Sequence, residues 1–329
     1  MINLEPLYRE GRNCYEDILA SVTKFYSNDY YLIYCNSWSF DFIPSESETL
    51  GSCLKSHWGN IEQNMLKFTG IKAEEALITD AQKAYQIIID NINQNRAVSF
   101  TIKMSCCYWH NWSKDKNSFN TATHIITAYD YNESKGLICM DCQPVFKDIE
   151  ISKELFCKGF LNKLVLFDSC KSRCCDREVL FEALVNQIER LSSSTIYENS
   201  FCAQEAFIES LRHIDLKKEC NDISEKDFWK SPIFSNLFNL GLGRKQFALY
   251  AKHLDLLQIL PTKLNIADRM EKCGENYLKA RNMLIKARLV NNPNNMINQA
   301  ADILQATSAE EKKVFEAIQD IVRSNKGGT

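Results

Sequence analysis

Two hydrophobic spacings alternate along the first half of the chain, and only the longer one persists in the second. Ile18, Leu19, Val22 and Phe25 recur at helical intervals and predict an amphipathic helix that opens at Cys14. Asn13 is suited to cap it. Glu16 and Asp17 place acids in the first turn, where the helix dipole favours them. The apolar and aromatic run at 30–35 predicts a short buried strand. Residues 36–42 are polar and aromatic by turns and read either as its continuation or as a pocket-lining loop, and 45–66 as helical in part. A second helix is predicted over 80–93, with Ala81, Ala84, Tyr85, Ile88 and Ile92 on one face. Val98, Phe100 and Ile102 alternate in a strand over 97–104, and a polar aromatic loop follows at 106–112. Strands at 123–129 and 137–141 flank a turn at 132–136, with Gly136 supplying the positive-φ position. Residues 163–168 add a strand.

From about Asp176 the period of two fades. Helices are predicted over 177–191, 202–213, 244–260, 264–290 and 309–323, with breaks at Ser192–Ser194 and at Gly241-Leu242-Gly243. The expected fold class is therefore α+β, with an α+β domain at 1–175 and an all-helical domain at 176–329.

Composition narrows the function classes. In 329 residues, 45% hydrophobic against 25% charged describes an ordinary globular chain with a sizeable core. A net charge of −3 argues against nucleic acid as the main partner. No apolar run reaches the length of a membrane span. The first residues lack the charged and apolar regions of a secretory signal. With 14 cysteines and no export signal, reduced thiols in a cytoplasmic protein are expected.

The chemistry is read from three distant positions. The backbone N–H groups of a helix start favour a thiolate at Cys14. The hairpin brings His124 opposite or near Asp141, so the carboxylate can accept the Nδ1–H of the imidazole and leave Nε2 to face Cys14. Cys14, His124 and Asp141 thus form a candidate Cys-His-Asp triad. Their order resembles papain-like cysteine enzymes, including the double-glycine leader peptidases. With the helical second half included, the chain resembles the BtrH family of acyltransferases over residues 13–42 and 123–144.

The resemblance implies a papain-like first domain. It implies transfer of an acyl chain from a carrier-protein thioester, through Cys14, to an amine. In the branch that serves thioamide-antibiotic assembly, that amine is a small diamine such as 1,3-diaminopropane. The partners implied are an acyl or peptidyl carrier protein and the diamine. No resident cofactor is implied, since the phosphopantetheine arm arrives on the carrier. Two departures stand out. Tyr34-Cys35-Asn36-Ser37-Trp38-Ser39-Phe40 replaces the family's Gly-rich segment, and no Gln lies between Leu7 and Arg12 to serve the oxyanion. Asn13, if not spent as a cap, is a possible donor beside the Cys14 N–H. Tyr30, Tyr31, Tyr34, Trp38, Trp109 and Trp112 are candidates for pocket walls.

The same triad suits a cysteine peptidase or thioesterase with water as acceptor, and an inert papain-like scaffold would serve binding alone. Cys139 and Cys142, with Cys170, Cys174 and Cys175, do not predict a zinc site, because no clean second C-x-x-C pair follows. His57, His110, His213 and His253 lack partner motifs, and His110 is the chief rival to His124. Lys279, Arg281, Lys286 and Arg288 read as a basic stripe, either a solvated face or a dock for an acidic carrier.

Overall fold

The computed structural model describes residues 2–8, 13–27, 30–55, 60–110, 122–169, 177–221, 223 and 227–326. Helix and sheet are distributed over two units, Met1–Ile33 with Glu62–Cys175, and Tyr34–Ile61 with Asp176–Thr329. The division differs from contiguous halves in one segment, because residues 34–61 cluster with the helices. Their carbonyl groups are claimed there: Arg190 donates to the Asn36 oxygen at 3.0 Å and Arg244 to the Ser39 oxygen at 2.6 Å.

In the first unit, helix α1 (Cys14–Tyr26) starts where Asn13 Oδ1 accepts the Glu16 N–H at 2.8 Å. It buries Ile18, Leu19 and Val22, whereas Phe25, counted on the apolar face, is exposed in the last turn. Helix α2 (Ala81–Asn93) is capped by the Asp80 carboxylate. Six strands form one antiparallel sheet: β1 (Ile71–Leu77), β2 (Val98–Lys103), β3 (Thr123–Asn132), β4 (Gly136–Cys142), β5 (Val145–Ile151) and β6 (Phe160–Ser169). Their order is β1-β6-β2-β3-β4-β5. Phe100, Ile126, Ala128 and Cys139 from the sheet share an apolar cluster with Tyr85 and Ile88 of α2 and Phe156 of α3 (Lys153–Gly159). Burying a large apolar side chain of this kind contributes about 1.5–3 kcal/mol.

Several expectations are corrected. Residues Tyr30–Tyr34 form a 3₁₀ helix rather than a strand. A short apolar run carries no period, and Leu32, Ile33 and Tyr34 are buried in succession. Strands β1 and β5 had no clear sequence signal because they are the two sheet edges. Lys72, Glu74 and Glu75 charge one edge, and Val145 and Phe146 are exposed on the other.

The second unit contains α4 (Arg177–Leu191), α5 (Ser200–Arg212), α6 (Pro232–Leu256), α7 (Ile266–Arg288) and α8 (Asn294–Lys326). A two-residue ladder joins Asp41–Phe42 to Leu54–Lys55. Helix α6 begins at Pro232 and runs through Gly241 and Gly243, where the sequence predicts a break. Here glycine permits close approach: a Cβ at Gly243 would lie 2.4 Å from the Ser37 carbonyl oxygen, and one at Gly241 3.0 Å from that of Gly274.

At the centre of this unit Arg244 and Glu311 form a fully buried ion pair, Nε to Oε1 at 2.8 Å and Nη2 to Oε2 at 3.0 Å. Trp38 Nε1 and Gln204 Nε2 donate to the same Oε2, each at 3.0 Å. Burial works against the guanidinium's charge, and Glu311 more than offsets it, so Arg244 holds its proton beyond the usual arginine range. The basic residues of α7 do not form one stripe. Lys279 and Lys286 are exposed, whereas Arg281 is half-buried, donates to the Phe234 carbonyl at 3.0 Å and lies over the Phe238 ring. No described helix is long and apolar enough to cross a membrane.

Candidate active site

Cys14 is the first residue of α1, partly exposed, with its helix start fixed by the Asn13 cap. Asn13 spends Oδ1 on that cap. His124 is the second residue of β3, and Asp141 is the last but one of β4. The pairing of Thr127 with Met140 sets both at the same end of the hairpin. His124 is 5% exposed and Asp141 fully buried.

His124 Nε2 lies 2.7 Å from Asp141 Oδ2. The Cys14 side chain also interacts with the ring and favours its charged form. With Nε2 committed to the carboxylate, the nitrogen left for sulfur is Nδ1. This reverses the expected assignment, in which Nδ1 served Asp141 and Nε2 served Cys14. Alternation along a strand sets which residues share a face but not how a ring turns about its own bonds, and the position of Asp141 decides that.

Asp141 is held from four directions. Oδ1 accepts the Gln143 backbone N–H at 2.9 Å. Oδ2 accepts three ring donors: His124 Nε2 at 2.7 Å, Trp109 Nε1 at 2.8 Å and His110 Nε2 at 3.0 Å. The Gln143 side chain reaches the other way and donates from Nε2 to Asp17 Oδ2 at 2.8 Å. Asp17 is buried on α1, three residues after Cys14. One residue thus connects the helix that carries the thiol to the carboxylate that orients the imidazole.

The electrostatics follow from these contacts. Burial alone would raise the Asp141 pKa, but the donors from His110, His124 and Trp109 and the nearby His124 charge outweigh it and bring the carboxyl down to about 2. Burial alone would also strip the proton from His124. The hydrogen bonds and charges of Asp141 and Cys14 outweigh that penalty and raise the ring to about 9. At neutral pH the group is an imidazolium between a carboxylate and a sulfur. That arrangement can deliver a proton to a leaving group beside the Cys14 sulfur.

His110 and Trp109 are partners of Asp141 that the hairpin pattern does not predict. His110 follows β2, whose Ile102 pairs with His124, and a Cys107–His110 turn folds the loop back toward the same sheet end. The one sequence signal was a histidine beside a tryptophan shortly after that strand. Trp38, a candidate pocket wall, is instead buried in the second unit against Phe247. Trp112, His57, Cys170, Cys174 and Cys175 lie outside the described residues. Exposed His213 pairs with Glu209. Cys142 Sγ lies 3.5 Å from Ser21 Oγ, and Cys139 is buried in the sheet cluster.

The ligand atoms of His110, His124 and Asp141 lie within 4.8 Å of one another, a spacing open to a metal ion. The donor set fits protons better. The Trp109 indole N–H can only donate, and it points at the oxygen a cation would need. Both imidazoles already meet that oxygen at hydrogen-bond distance. No protein-family model matches the chain, and no curated protein shows significant similarity to it.

Proposed function

We propose that this chain is a cysteine acyltransferase with a papain-like first unit. It forms an amide bond by moving an acyl chain from a carrier-protein thioester to an amine. The observation that carries this reading is the meeting of Cys14, at a helix start, with a His124 ring held by buried Asp141. The order of the three residues and the helical second unit add to it. So does the resemblance of the segments 13–42 and 123–144 to the BtrH family, and within it to CtaG, the amide-forming enzyme of closthioamide assembly. On that resemblance the acceptor is a small diamine such as 1,3-diaminopropane, and the setting is cytoplasmic biosynthesis of a thioamide antibiotic.

In the first half-reaction the Cys14 thiolate attacks the thioester carbonyl. The bond from that carbon to the phosphopantetheine sulfur breaks, and His124 gives its proton to the departing thiolate. In the second, the amine nitrogen attacks the Cys14 thioester and passes a proton to His124. The carbon–sulfur bond breaks and returns Cys14 as thiolate beside an imidazolium. Asp141 fixes the tautomer and orientation of His124 throughout.

Intact-protein mass spectrometry after mixing with an acylated carrier tests the reading. A mass gain mapped to Cys14, discharged as amide when 1,3-diaminopropane is added, is the expected outcome, and Cys14→Ala should show neither. Amide from the Cys14→Ala protein would overturn the nucleophile. Discharge to free acid at the same rate with and without diamine would identify a thioesterase, and cleavage of peptides a peptidase.

A further inference from the structure

We propose that His110, working through Asp141, sets how strongly His124 holds its proton. The inference rests on the Cys14–His124–Asp141 reading above. A carboxylate oxygen offers about two acceptor sites, and Asp141 Oδ2 meets three ring N–H groups, so the donors share its charge. His110 is buried, and its ring meets that of His124 edge to face with centroids 4.9 Å apart. The Cys107–His110 backbone turn seats it independently of His124. What His110 draws from Oδ2 is not available to His124.

The other titratable groups around Asp141 do not offer this control. Cys107 on the loop and Cys139 and Cys142 on β4 are pushed up by burial and stay neutral thiols. Asp17 on α1 meets the Gln143 amide. Cys14 acts on the His124 ring itself, favouring its charged form. The remaining donor to Oδ2, Trp109, cannot titrate. His110 is therefore a positioning residue that moderates the carboxylate and keeps the imidazolium acidic enough to protonate a leaving thiolate.

The test follows the His124 ring by NMR in the full chain labelled at histidine, without any acyl donor. In His110→Phe the His124 titration should move upward by about half a pH unit or more. Acyl transfer at neutral pH should slow by about two- to ten-fold, since a weaker acid protonates the leaving group. His110→Gln, which can restore an N–H donor, should return both toward wild type. Trp109→Phe removes the second donor and should move the titration the same way, keeping the test available if His110→Phe does not fold. A titration that stays put, or falls toward that of free imidazole, overturns the proposal. So does a wild-type His124 that titrates near 6.5. An upward shift without amide formation in the wild type would uphold His110 and sink the acyltransferase reading instead.

Discussion

Both oxygens of Asp141 are committed as acceptors, one to the Gln143 backbone and one to three rings. A carboxylate so occupied orients and charges its neighbour but has little capacity to take a proton itself. The consequence falls on His124, whose pKa rises from 6.5 to about 9 in the folded chain. A group raised on folding adds stability that is complete below its unfolded value and is lost as pH climbs through the folded one. The His124 contribution is therefore full below pH 6.5 and disappears through about pH 9. Urea unfolding of wild type and His124→Gln, compared at about pH 6.5 and about pH 9.5, should show a decline in the wild type that the variant lacks. Parallel declines would contradict this assignment. Acyl transfer should fade over the same alkaline range, because the proton donor is lost there.

At the level of elements, a helix and a strand must stay in register for a thiol and an imidazole to meet. Gln143 makes that connection, with its backbone on Asp141 and its side chain on Asp17 of α1. Gln143→Ala removes one donor from a buried carboxylate and is expected to cost about 1–3 kcal/mol. Gln143→Glu should be worse near neutral pH, since it sets a second carboxylate against Asp17. Thermal unfolding ranks the three proteins, and a Glu variant as stable as wild type would rule out the link. The rate of Cys14 acylation should fall in the same order, because the helix start loses its tie to the hairpin end.

Across the whole chain, stability in the helical unit centres on one buried ion pair. Arg244 and Glu311 are both fully buried, and Trp38 and Gln204 complete the acceptor side. Glu311→Ala strands a guanidinium among apolar helices and should cost about 3–5 kcal/mol, read from chemical denaturation. The double variant Glu311→Ala with Arg244→Leu should recover much of that loss, since the stranded charge goes with it. A double variant as unstable as the single would show that packing, rather than charge, is at stake.

Local chemistry marked out much of this protein. Asn13, Asp80 and the acids after Cys14 fixed two helix starts, because caps act within one turn. Alternation and Gly136 fixed the β3–β4 hairpin, and the hairpin brought His124 to Asp141. What lay beyond reach depends on groups distant in the chain. The glycines of α6 looked like a break because their reason is the carbonyl of Ser37 and that of Gly274. Segment 34–61 belongs with helices more than a hundred residues later, whose side chains satisfy its carbonyls. His110 and Trp109 join Asp141 because a turn after β2 closes onto the same sheet end. Short-range capping and alternation are written in neighbouring residues, whereas the saturation of a buried carboxylate is decided only when the packed chain brings its donors together.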